Sequence, residues 1–114
     1  MMKSIPVWKQ ELSDGVHAAR LASLYCCAPA ETASKAARYA AVLDGLEKTF
    51  GSHAEAGLYS APGRTEIGGN HTDHQHGRVL AGSVNIDMIA AAAPNDKNQL
   101  RVQSEGYDLC VIDL

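Results

Sequence analysis

Apolar residues in the first half of the chain recur at the spacing of a helix. Between residues 31 and 50 they lie three or four positions apart, and Gly51 follows as a stop signal. This pattern predicts a helix over 31–50. Two shorter helices are predicted over 4–12 and 16–25, separated by the sequence Ser13-Asp14-Gly15.

Beyond residue 57 turn-forming and β-branched residues become frequent, which indicates strands. The predicted strands cover residues 58–61, 78–84, 87–93, 100–104 and 107–113. We therefore predict an α+β fold in which N-terminal helices pack on an antiparallel or mixed sheet. Its organisation is a helical region over 1–51 and a β-rich region over 52–114, together one domain. Because residues 109–114 stop in apolar sequence, we expect that domain to be truncated.

Length and charge exclude several classes of protein. The 114 residues suffice for one small domain. A net charge of -3 with scattered Lys and Arg excludes the basic surface of a nucleic-acid-binding protein. The longest apolar run, residues 88–93, is far too short to cross a membrane. Three cysteines form no disulfide framework, so we expect a cytoplasmic protein in a reducing compartment.

Chemically reactive residues are concentrated in the segment 60–77, which contains four glycines, an Arg and three of the five histidines. One interpretation is a site for a polyhydroxylated ligand. The Asp73 carboxylate offers two acceptors, and Asn70 and His71 both donate and accept hydrogen bonds. The simplest alternative is that these polar residues and glycines only form turns.

Two other chemistries remain open for the same segment. The side chains of His71, Asp73, His74 and His76 are all plausible metal ligands, so a metal-binding module is an alternative. A phosphate-binding loop has weaker support, because neither common glycine-rich phosphate motif is present. The guanidinium of Arg64 would nevertheless suit a phosphate or carboxylate.

Residues 61–80 resemble, without a gap, the galactokinase signature of the GHMP kinase superfamily. The similarity lies in Ala61-Pro62-Gly63-Arg64, in 67–73 (Ile-Gly-Gly-Asn-His-Thr-Asp) and in 77–80 (Gly-Arg-Val-Leu). The resemblance implies the N-terminal sugar-binding portion of an enzyme that phosphorylates galactose or a related hexose. In that reaction ATP donates a phosphoryl group to the anomeric hydroxyl.

The resemblance also implies roles for individual residues. Arg64 would be the catalytic residue beside the transferred phosphoryl group, and Asn70, His71 and Asp73 would bind the sugar hydroxyls. Three positions depart from the family pattern: Asn70 stands in place of Glu, Glu66 in place of Asn, and His74 in place of Tyr. Asn70 can still bond a hydroxyl but lacks the charge of Glu.

The family's cofactors are expected to bind elsewhere in the complete protein. By resemblance these cofactors are ATP and Mg²⁺. The family's phosphate-binding loop and catalytic Asp do not occur in these 114 residues. This chain alone is therefore expected to be inactive and free of cofactors. A noncatalytic sugar sensor is the alternative function. Open strand edges predict self-association, and neither nucleic acid nor a membrane is an expected partner.

Overall fold

A computed structural model describes residues 1–69 and 73–114, with Asp73 described through its backbone only. Three helices precede most of the strands. The helices are α1 (Ile5–Ser13), α2 (Ala18–Tyr25) and α3 (Thr32–Phe50). The strands are β1 (Met2–Lys3), β2 (Ala56–Gly68), β3 (Leu80–Ala92), β4 (Gln99–Val102) and β5 (Cys110–Asp113). Short 3-10 turns occur at Pro29–Glu31 and Asp73–Gln75. The predicted α+β class is confirmed.

The helices form because their apolar residues lie on one face. Helix α1 has Pro6 in its first turn, where the missing N–H costs no helical hydrogen bond, and it buries Ile5, Trp8 and Leu12. Helix α3 buries a similar stripe and ends at Gly51, whose φ of 85° permits the chain to leave the helix. Ala36, Tyr39, Leu43 and Leu46 form that stripe. These residues make the helix faces the centre of the hydrophobic core.

Helix α2 begins two residues later than predicted. The backbone turns at Gly15, which has a φ of 71°, and the N–H of Ala18 donates to the Gly15 carbonyl. The N–H of Val16 donates a hydrogen bond to the carbonyl of Glu11, in the last turns of α1. Residues 16 and 17 are therefore part of the turn between α1 and α2, so the predicted start at Val16 is wrong.

Strands β1, β2 and β3 form one sheet in that order, and β4 pairs with β5 in a second sheet. All strand pairings in residues 1–69 and 73–114 are antiparallel. The β2–β3 hairpin is the largest β element. Its inner face packs Leu58, Ile89 and Ala91 against the helical core. The indole N–H of Trp8 donates to the carbonyl of Ala56 at 2.7 Å, which joins α1 to the start of β2.

The predicted strand over 58–61 is too short, since β2 continues to Gly68. Pro62 and Gly63, residue types that usually interrupt regular sheets, lie within β2. Proline is tolerated here because the described part of β2 pairs with β1 only at Ala56 and Gly57. Beyond Gly57 one edge of β2 has no described neighbour, so the absent N–H of Pro62 need not break a ladder.

The predicted strands over 78–84 and 87–93 are in fact one strand, β3. The two residues between them, Asn85 and Ile86, lie in a bulge of β3. The strand predicted over 107–113 is shorter than expected. Gly106 turns with a φ of 81°, and regular pairing begins only at Cys110.

Candidate functional site

The predicted sugar-binding residues belong to the connection at the end of the β2–β3 hairpin. Strand β2 carries the sequence from Ala61 to Gly68, and β3 begins at Leu80. Asp73 begins the 3-10 turn of this connection, but its side chain lies outside the described part. Asn70 and His71 lie outside the described residues altogether. In sequence the predicted residues therefore lie between β2 and β3.

Gly69 closes the base of this loop through a close backbone approach. Its φ is 83°, and a Cβ atom at this position would lie 2.1 Å from the carbonyl oxygen of Arg78. Such a distance is impossible between nonbonded heavy atoms, so only glycine fits. The two ends of the loop are therefore held together immediately before Asn70.

Arg64 is exposed near the end of β2 and forms an ion pair with Glu66. The Nη2 atom of Arg64 lies 2.9 Å from Oε1 of Glu66, and the two side chains are 64% and 23% exposed. Residues two apart on a strand share a face, which brings these side chains together. Sequence analysis missed the pair because it ended the strand at residue 61. The alternation of a longer strand would have revealed it.

A bulge in β3 lies opposite Gly63, between Asp87 and Ser83. Pro62 pairs with Asp87 and Arg64 pairs with Ser83, so three residues of β3 face a single residue of β2. An uninterrupted ladder would have placed Asn85 opposite Arg64. A Cβ on Gly63 would lie 3.1 Å from Cγ2 of Val84 and 3.2 Å from the Ile86 carbonyl oxygen. Glycine therefore allows the bulge to pack tightly against β2.

Asp87 is a charged side chain buried between the helices and the hairpin, with only 3% of its surface exposed. Its Oδ2 atom accepts hydrogen bonds from the hydroxyl groups of Tyr25 at 2.5 Å and Ser60 at 2.6 Å. Its Oδ1 atom accepts one from Nη1 of Arg38 at 2.9 Å. The Tyr39 hydroxyl lies 3.0 Å from that of Tyr25 and extends the network. We call Asp87, Tyr25, Ser60 and Arg38 the Asp87 cluster.

The hydrogen bonds of the cluster determine its protonation. Burial of Asp87 disfavours the carboxylate, but the bonds from its donors outweigh burial and hold the pKa of Asp87 below its ordinary value. Burial and the bond to Asp87 raise the pKa of Tyr25 above its ordinary value. The carboxylate is therefore ionised at neutral pH and the Tyr25 hydroxyl remains a donor. Sequence analysis missed this cluster, for which the one signal was an acid within an apolar strand.

The metal-binding alternative gains no support from the described residues. Within ranges 1–69 and 73–114, no three His, Cys, Asp or Glu side chains lie close enough together to hold a metal ion. Of its four predicted ligands, His74 and His76 are described, whereas His71 and the Asp73 side chain lie outside the described part. As for membranes, each helix in the part described is too short or too polar to cross a bilayer.

Comparison with known protein families shows which family signature the β2–β3 hairpin matches. A family model described as the galactokinase galactose-binding signature matches residues 46–94. This range includes the end of α3, all of β2, the connecting loop and all of β3. No solved structure matches the chain.

Among curated proteins, similar relatives are galactokinases. The chain is 35% identical over 71 residues to the galactokinase of Ligilactobacillus salivarius (strain UCC118), an alignment covering 61% of the chain and 18% of that protein. It is 33% identical over 66 residues to the galactokinase of Lacticaseibacillus casei, covering 58% of the chain and 17% of the relative. The chain thus spans less than a fifth of these relatives. The resemblance seen in the motifs is confirmed: residues 46–94 of this chain match the galactose-binding signature of galactokinases.

Proposed function

We propose that this chain is the galactose-binding portion of a galactokinase-like enzyme. The observation that carries the proposal is the match of the galactose-binding signature to the α3 end and the complete β2–β3 hairpin. In the complete protein the reaction transfers the γ-phosphoryl group of ATP to the anomeric hydroxyl of galactose or a related hexose. This chain supplies the sugar side of that reaction, in the cytoplasm, and its three free cysteines suit a reducing compartment.

Each proposed residue has chemistry suited to its role. The carboxylate of Asp73 pairs with adjacent sugar hydroxyls, while Asn70 and His71 donate and accept further hydrogen bonds. Arg64 assists at the transferred group, because its planar, permanently charged guanidinium matches phosphate oxygens. Its exposed position supports this role, since the guanidinium is accessible, and a phosphate would replace the ion pair with Glu66.

ATP and Mg²⁺ supply the phosphoryl group and its charge neutralisation in the complete enzyme. The described residues do not provide a three-ligand site for the ion, so no step through it is assigned to this chain. The contribution of this chain is to bind and orient the hexose, which places one hydroxyl for reaction.

Titration of the isotopically labelled chain with galactose, followed by glucose, tests the proposal by amide NMR. We expect galactose to shift signals of Arg64, Asn70, His71 and Asp73 selectively. The Asp73→Asn variant should bind galactose at least about tenfold more weakly, because one acceptor charge is lost. Asp96→Asn makes the same chemical change in the connection between β3 and β4 and should leave the affinity unchanged. Equal effects of the two variants, or no galactose-dependent shifts in a well-dispersed spectrum, would contradict the proposal.

A further inference from the structure

The Asp87 cluster lies at the boundary between the core and the signature. Asp87 pairs directly with Pro62, two residues before Arg64. Its donors come from α2, α3 and β2, so a single carboxylate joins three elements to β3. The cluster is thus a polar connection between the helices and the hairpin beside the bulge.

Side-chain alternation places this cluster and Arg64 on the same face of β2. Ser60, Pro62 and Arg64 are separated by two residues each, and residues at this spacing point to the same side of a strand. Asp87, which accepts the Ser60 hydroxyl, also accepts donors from Tyr25 on α2 and Arg38 on α3, so this side faces the helices. The orientation of β2 at Ser60 and Pro62 therefore bears on the direction in which Arg64 leaves the strand.

The bulge makes this point of the hairpin sensitive to such a tilt. Between the pairs Pro62–Asp87 and Arg64–Ser83 the ladder is interrupted, and a bulge bends and twists its strand. Regular pairing therefore does not fix the angle between the two halves of the hairpin. Side-chain contacts beside the bulge must fix it, and the Asp87 cluster is the buried polar contact in that position.

We infer that Asp87, with Ser60, is a positioning residue that sets the direction in which Arg64 leaves β2. The inference rests on the proposed function in so far as Arg64 acts on a bound sugar or phosphate. A carboxylate suits this place because one oxygen accepts two hydroxyl groups while the other accepts the guanidinium of Arg38. An amide has one oxygen and one NH₂ group. If its oxygen accepts the two hydroxyls, its NH₂ faces the guanidinium donors; if it is turned round, both hydroxyls must act as acceptors, and in either case the negative charge beside Arg38 is lost.

The test compares variants of the whole chain by two measurements. The first is the Nε–Hε NMR signal of Arg64 without sugar, which reports its surroundings, and the second is the galactose dissociation constant. Ser60→Ala removes one donor, Asp87→Asn removes the charge, and Ser60→Thr retains the hydroxyl. Ile5→Val is the control, because it trims a fully buried core side chain outside the cluster.

We expect Ser60→Ala and Asp87→Asn to move the Arg64 signal. Galactose binding, which the proposed function assigns to Asn70, His71 and Asp73, should change by less than about threefold. Ser60→Thr should keep the wild-type Arg64 signal, and Ile5→Val should leave it unchanged. An unchanged Arg64 signal in Ser60→Ala, or an equal change in Ile5→Val, would overturn the inference. Ser60→Ala keeps the test decisive if Asp87→Asn fails to fold.

The two measurements also separate this inference from the proposed function. If the wild-type chain binds no galactose, the proposed function fails for this chain, whereas the Arg64 signal still decides whether the cluster directs that side chain. If galactose binds but Ser60→Ala does not change the Arg64 signal, the positioning role is wrong while the proposed function stands.

Discussion

Asp87 is stable as a buried anion because each of its oxygens is bonded to donors from other elements. Its side chain is 3% exposed, so solvent contributes little to its charge. An unpartnered carboxylate in this position would cost several kcal/mol, and removal of one partner leaves part of that cost uncompensated. The cluster therefore links the protonation of one residue to the stability of the helix–hairpin contact.

We predict that this linkage makes the protein sensitive to acid. The pKa of Asp87 is lower in the folded protein than its ordinary value of 3.8. A group whose pKa is lower in the folded state stabilises the protein at pH values above its unfolded pKa. That stabilisation is lost as the pH falls through the folded pKa. The free energy of unfolding should therefore begin to fall below about pH 4, where Asp87 of the unfolded chain takes up a proton while the folded carboxylate stays ionised.

Urea unfolding measured from neutral pH down to pH 3 tests this expectation. At neutral pH Asp87→Asn should be about 1–3 kcal/mol less stable than the wild type, because hydroxyl and guanidinium donors lose their anionic partner. The difference should narrow as the wild-type carboxylate is protonated. A difference that is constant over the whole pH range would show that the charge of Asp87 does not contribute.

At the scale of elements, the β2–β3 hairpin consists of an inner and an outer ladder with a bulge between them. The inner ladder pairs Gly57 through Pro62 with Ala92 through Asp87 and packs on the core. The outer, second ladder pairs Arg64 through Glu66 with Ser83 through Ala81, and after a further register shift Gly68 pairs with Leu80 before the signature loop. At the base of that loop Gly69 lies against the backbone of Arg78, an approach that only glycine allows. The end of the second ladder therefore depends on a glycine that follows its last residue pair.

Gly69→Ala should destabilise the protein by more than about 1 kcal/mol, because alanine is strained at positive φ and its Cβ would collide with backbone. Gly82→Ala is the matched control, since a Cβ there meets nothing within 4 Å. We expect that control to change stability by less than about 0.5 kcal/mol. Thermal and urea unfolding of both variants measure the difference. Equal stabilities would show that the loop base does not need its close approach.

The same elements show which parts of the fold could be predicted from the sequence. Helices were predicted well because each has a long apolar period, and Gly51 marks the end of α3. Strand limits were wrong at Pro62 and Asn85, where a free edge and a bulge permit residues that normally end strands. The free edge and the bulge are both features of the tertiary structure, so a local sequence pattern does not reveal them.

The candidate site was predictable to different degrees. Arg64, Asn70, His71 and Asp73 follow from a motif that is contiguous in sequence, and their roles stay predictions. The partners of Asp87 are 27 to 62 residues away from it, so no local pattern could identify the cluster.

At the scale of the whole molecule, the chain is open. Its radius of gyration is 17.1 Å, whereas a compact domain of this length has about 13 Å. Ten buried hydrophobic residues form the core of the described part, and the strands contribute only Ala56 to them. Large apolar side chains of β3 and β5 are exposed, including Ile86, Met88 and Val111. In the described part, β3 pairs with β2 alone, leaving one long edge open.

We predict that this open edge causes self-association of the chain. Exposed long strands can pair with strands of a second molecule, and a lysine on such a strand opposes pairing. Sedimentation velocity over a range of concentrations should show oligomers that Met88→Lys reduces. Val16→Lys adds the same charge at an exposed residue in the turn between α1 and α2 and should not reduce them. A monomer at all concentrations would contradict the prediction.

The bulge opposite Gly63 also separates the register of the inner ladder from that of the outer ladder. Because extra residues of β3 are accommodated at the bulge, an insertion or deletion in the signature loop need not shift Leu58, Ile89 and Ala91 off the core. The loop end of the hairpin can therefore be lengthened, shortened or exchanged while the packing on the helices is kept.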